Sequence, residues 1–121
     1  MQYAYARVCA ILRKAEEEGV VLADVQDVDL SVLVSHEEQR LISHMLAYPE
    51  QLLKAADKLE AYRVATYIMR LAADFHSFYH KHRVVTEDAG LTAARLVLAK
   101  AVAQVIRNGL TVLGVSSPDR M

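Results

Sequence analysis

Two short segments set flat rings beside cations: Tyr3-Ala4-Tyr5-Ala6-Arg7, and Phe78-Tyr79-His80-Lys81-His82-Arg83. Rings of this kind stack on splayed bases while Lys and Arg meet phosphates, so both segments are candidates for holding single-stranded RNA. The competing reading makes the rings core and the charges solvated. Phe75 and Phe78 fall on an apolar stripe and are expected inside; Tyr79 stands between the two readings, and Tyr3 and Tyr5 must either pack or bind something. His76 and His80, four apart, share a helix face at a spacing that could hold a metal. His82 lies ~200° around from His80, and Asp74 faces away from the pair. Solvated or RNA-facing histidines are therefore expected, and no metal site.

Catalytic signatures are missing. The four glycines, at 19, 90, 109 and 114, are scattered singly and build no phosphate loop. One cysteine, Cys9, allows neither a paired-cysteine zinc site nor an internal disulfide. It reads as a small buried hydrophobe in a cytoplasmic protein. No catalytic residue and no cofactor are assigned to the chain. Arg7, Arg13, Lys14 and the Glu16-Glu17-Glu18 run interrupt the N-terminal apolar residues, so no signal peptide is visible. No uninterrupted apolar run approaches the ~18 residues of a membrane span, and no membrane partner is expected. With 121 residues, 54% apolar and 24% charged, the chain reads as a single domain with its own core. Fourteen Lys and Arg against 15 Asp and Glu leave a formal charge of −1. Composition alone leans away from nucleic acid, unless the basic residues gather on one face.

Helices must position these residues. Residues ~2–18 carry Tyr5, Val8, Leu12 and Ala15 at helical spacing, with Gly19 as the stop. The stretch 19–34, holding Asp24, Asp27 and Asp29, reads as an ordered loop with one turn of helix. Ser35 and Glu38 form a capping box that opens a helix to about Ala47. Pro49 suits the first turn of the next, ~49–59. The fourth, ~61–82, has Val64, Ile68, Leu71, Phe75 and Phe78 on one stripe. The fifth, ~91–107, carries Leu91, Ala94, Leu98, Val102 and Val105, with Asn108-Gly109 as its stop and an irregular tail from Val115. The expected fold is an all-α bundle of about five helices spanning residues 1–121.

Several of these segments also resemble a known family. Tyr3-Ala4-Tyr5-Ala6-Arg7-Val8-Cys9 closely resembles the segment that opens the C-terminal, DALR-type anticodon-binding domain of arginyl-tRNA synthetases. Phe75, Ser77-Phe78-Tyr79 and Arg83-Val84 resemble its F-x-x-FY-x-x-x-RV stretch. Arg95-Leu96, Asn108-Gly109-Leu110, Leu113-Gly114-Val115 and Pro118-Asp119-Arg120-Met121 are similar to its closing motifs, in order along the whole chain. Two positions depart. The DALR signature stands here as Lys100-Ala101-Val102-Ala103, so any ion pair made by its acidic and basic ends is missing. The usual His of the opening motif is Tyr5.

The resemblance implies a helical domain, part of a larger synthetase, that docks the anticodon stem and loop of arginine tRNA. Its RNA-facing positions would be Tyr3, Tyr5, Arg7, Tyr79, Arg83 and Met121. The implied partners are that tRNA and the catalytic domain of the same polypeptide, with no DNA. The parent enzyme joins arginine to tRNA with ATP and Mg²⁺ through HIGH- and KMSKS-like motifs, and neither is present in these residues. The chain alone is therefore expected to be inactive, as an excised piece or, in the alternative, a natural stand-alone homologue. The second reading is a protein-interaction domain that kept the fold without RNA binding.

Overall fold

The computed structural model describes residues 2–20 and 24–120. Among the described residues there are five α-helices, α1 (Gln2–Glu17), α2 (His36–Leu46), α3 (Tyr48–Lys58), α4 (Tyr62–Lys81) and α5 (Ala89–Val112), and no strand. The all-α bundle expected from the sequence is the fold found. The fourth helix buries the whole stripe Val64, Ile68, Leu71, Phe75 and Phe78. That face packs on α5, while α2 and α3 flank α4 and α1 lies along α5.

α5 is the central helix, and its composition reflects that. By length and composition it could cross a membrane, with a mean hydropathy of 1.5 over its most apolar 18 residues. Arg95 and Lys100 interrupt this stretch, so no unbroken apolar run marks it in the sequence. Half of that window is buried inside the molecule, so packing on two sides accounts for its apolarity.

The expected stop at Asn108-Gly109 is corrected: α5 runs on to Val112. Gly109 is buried inside the helix, where a Cβ would stand 2.5 Å from Ile68 Cγ1. The missing side chain lets α4 and α5 approach, and glycine is there for space rather than for termination. The true end lies at Gly114, with φ +73°, where the Val115 N–H donates to the Leu110 carbonyl at 2.9 Å and the Gly114 N–H to that of Thr111 at 3.0 Å. The same left-handed closure ends α1 at Gly19 (φ +84°), as expected, and α3 at Leu59 (φ +54°).

Among the described residues, the connection between α1 and α2 holds two 3-10 turns, Val25–Asp27 and Leu30–Val32, where one turn was expected. Asp29 caps the second by accepting from the Ser31 N–H at 2.9 Å, and Ser31 holds its carboxyl below the usual range. Leu33 anchors the segment in the core, and Asp24, Asp27 and Asp29 all face solvent. The capping box of α2 is present in both directions, Ser35 to Glu38 and back, at 3.2 Å each.

Candidate nucleic-acid interface

One face is built from α1 and the C-terminal end of α4. Steps of three and four put Tyr3, Arg7, Ala10 and Lys14 on the exposed side of α1, because such steps return to the same helix face. Opposite them, Tyr79 lies stacked on the buried ring of Phe75, centroids 6.2 Å apart and planes within 14°. The Arg7 guanidinium lies over the Tyr79 ring, 5.5 Å from its centre. Cation over ring is worth ~0.5–1 kcal/mol at an exposed site, enough to orient Tyr79 without sealing it. An open groove runs between Tyr3, Arg7, His76, Tyr79 and His80. Tyr3 is 60% exposed at its rim. Burial, and then the nearby Arg7, push the His76 imidazole below its ordinary pKa, so it offers a neutral donor and acceptor to the groove at pH 7.

Two neighbouring grooves extend this face. The first adds Arg13 and Arg120 beside Tyr3 and Arg7; the second runs past Tyr79 to Lys14 and Arg83. Arg7, Arg13, Lys14, Arg83 and Arg120, five of the chain's 14 Lys and Arg, line these grooves, with Glu18 as the acidic residue among their linings. A molecule with net charge −1 thus gathers positive charge on one side. The C-terminal tail is tied to α1 at this face. Gln2 Nε2 donates to the Ser116 carbonyl at 2.9 Å, and Arg13 Nη1 to that of Asp119 at 3.0 Å.

The end of α4 is anchored from behind by a buried network. Glu38 is 1% exposed and Arg95 8%, and they pair at 3.1 Å between Nε and Oε2. Burial acts to raise the Glu38 pKa, but the bonds from Ser35 and Arg95 outweigh it and hold the carboxyl below its usual range. His82 Nε2 lies 2.8 Å from Glu37 Oε1, and that bond, with Lys81 at 3.6 Å, lowers the Glu37 pKa.

Of the residues singled out from the sequence, Tyr3, Arg7, Tyr79 and Arg83 come together on this face. Tyr5 does not. It is 9% exposed, inside the core, and burial followed by its neighbour Cys9 raises its pKa. The reason is helical geometry: two residues turn the chain ~200°, so Tyr3 and Tyr5 on α1 face opposite ways, and Tyr5 belongs with Val8 and Ala15. Met121 lies outside the described residues. Sequence reasoning missed His76, Arg13, Lys14 and Arg120 as members of the face. The seven-residue step from Arg7 to Lys14, two helical turns, was the available signal. Among the described residues, no three His, Cys, Asp or Glu side chains gather in a group that could hold a metal.

With this geometry in place, comparison with known proteins is decisive. The family model described as "DALR anticodon binding domain" matches residues 1–121.

The chain belongs to the DALR anticodon-binding domain family.

This DALR domain is 49% identical over its whole length to the arginine–tRNA ligase of Geotalea uraniireducens, and 48% identical to that of Desulfosudis oleivorans. In each case it covers 22% of the relative. It superposes on the Thermus thermophilus arginyl-tRNA synthetase with a TM-score of 0.83 at 31% identity, over 99% of this chain and 20% of that one. The DALR domain therefore spans about a fifth of the length of the relatives it matches. Lys100, at the first position of its altered DALR signature, is exposed on α5, whereas Val102 and Ala103 are buried. The departure leaves the core apolar.

Proposed function

We propose that this DALR domain recognises the anticodon stem-loop of arginine tRNA as the recognition part of a cytoplasmic arginine–tRNA ligase. The observation that carries the reading is the convergence of Tyr3, Arg7, Tyr79 and Arg83 on one exposed basic face, in a chain without net positive charge. Tyr3 and Tyr79 would stack on unpaired anticodon bases, and Arg7 and Arg83 would meet phosphates or base edges. His76 adds a neutral hydrogen-bonding edge between them. ATP- and Mg²⁺-dependent attachment of arginine would belong to the catalytic region of the longer enzyme, and this chain alone would not aminoacylate tRNA.

The test is titration of the chain with an arginine-tRNA anticodon stem-loop at low salt. Binding should weaken when the middle C of the anticodon is changed. Equal binding to an unrelated stem-loop would refute the specificity. A protein-interaction role predicts no binding to either, and the clustering of Arg7 and Arg83 around Tyr79 counts against it.

A further inference from the structure

Arg95 is buried and lines none of the three grooves of the proposed RNA surface, and all three of its guanidinium nitrogens are engaged. Nε meets Glu38 at 3.1 Å, Nη1 donates to the carbonyl of Arg83 at 2.7 Å, and Nη2 lies 3.4 Å from His82 Nδ1. Neutralising Glu38 requires only the first. The other two contacts hold the chain where it leaves α4. At His82 the backbone becomes extended (φ −131°, ψ 145°), after its N–H donates to the Phe78 carbonyl at 2.9 Å. The His82 ring is gripped on its other side by Glu37 and stacks on Phe78, centroids 5.5 Å apart. A guanidinium only donates, so His82 Nδ1 accepts and Nε2 carries the hydrogen towards Glu37. With the Arg83 carbonyl turned inward onto Arg95, its side chain stays exposed in the groove beside Lys14 and Tyr79.

We infer that Arg95 is a positioning residue for the RNA interface: its planar fork fixes the backbone at Arg83, so that this side chain stands beside Tyr79. The inference rests on the RNA-binding reading above. Lysine would keep the charge opposite Glu38 but lacks a fork able to reach three acceptors in one plane.

The experiment compares wild type, Arg95→Lys, Arg83→Ala and the double variant in binding the arginine-tRNA anticodon stem-loop across a salt series. Arg95→Lys should weaken binding roughly tenfold and lower the slope of log affinity against log salt by about one, as losing one phosphate contact does. In the Arg83→Ala background it should add little. Effects that multiply independently, or an Arg95→Lys variant that binds like wild type while Arg83→Ala does not, would overturn the inference and leave the RNA reading standing. A wild-type chain that fails to bind overturns both. Should Arg95→Lys not fold, Glu38→Gln with Arg95→Gln removes both charges together and faces the same criteria. Backbone order at Arg83 in the free protein, read by NMR relaxation, should fall in either variant.

Discussion

Replacing Gly109 by alanine probes the approach of α4 and α5. At an open helical position the exchange gains about 1 kcal/mol. At Gly109 the new Cβ would stand 2.5 Å from Ile68 Cγ1 and 3.7 Å from Val64 Cγ1. Ile68 and Val64 are both buried in the core. Ile68 is fully buried, and overpacking of this kind costs ~1–3 kcal/mol. The sum is a destabilisation of about 1 kcal/mol, read as a Tm lower by roughly 4 °C or as a lower urea midpoint. The background Ile68→Ala provides the internal control. It removes the clashing atoms at a cost of ~2–5 kcal/mol of its own, and within it Gly109→Ala should stabilise by about 1 kcal/mol. The effect changes sign with the neighbour, which a double-mutant cycle reads directly. An alanine that stabilises the wild-type background by the full helical gain would refute the close approach.

Four further outcomes are expected. Leu59 holds a left-handed conformation and is 91% exposed; Leu59→Gly should raise stability by ~0.5–1 kcal/mol in urea unfolding, by relieving that conformation without losing packing. Tyr3→Ala should leave the urea midpoint nearly unchanged and weaken stem-loop binding by the ~1–3 kcal/mol of a lost base stack. Tyr5→Ala should do the reverse, costing about 3 kcal/mol of stability through the cavity it leaves. Glu38 has a depressed pKa in the folded chain, so its contribution is fully present above the unfolded carboxyl value of ~4.3 and is lost as pH falls through the lower folded one. Urea midpoints followed from pH 6 downward should fall more steeply for wild type than for Glu38→Gln.

Helix patterning was readable where an amphipathic stripe was complete, as in Val64 to Phe78, and where a cap has a local signature, as at Ser35 and Glu38. Three features depended on partners far along the chain. Gly109 looks like a terminator because glycine often ends helices, and only Ile68 beneath it shows that its role is space. Arg95 looks like a solvated charge until Glu38, 57 residues away, is seen against it. The basic face was hidden by a net charge near zero, since composition sums over all surfaces and says nothing of their sides. Tyr5 is the opposite case. Its place on the apolar stripe with Val8 and Ala15 was legible in the spacing, and motif similarity pointed the other way.

The tail's attachment to α1 has a consequence for how the molecule acquires its surface. Gln2 holds Ser116 across 114 residues and Arg13 holds Asp119 across 106. Contacts so distant in sequence close late, after the segments between them have condensed. During synthesis, α1 is made before the segment that holds it and waits for these partners until residues 116–119 have followed. An unfinished or proteolytically shortened copy offers rings and cations in loose order, without the tail that completes their setting. The basic face thus depends on segments more than 100 residues apart, and copies lacking Ser116 to Asp119 should compete poorly for RNA.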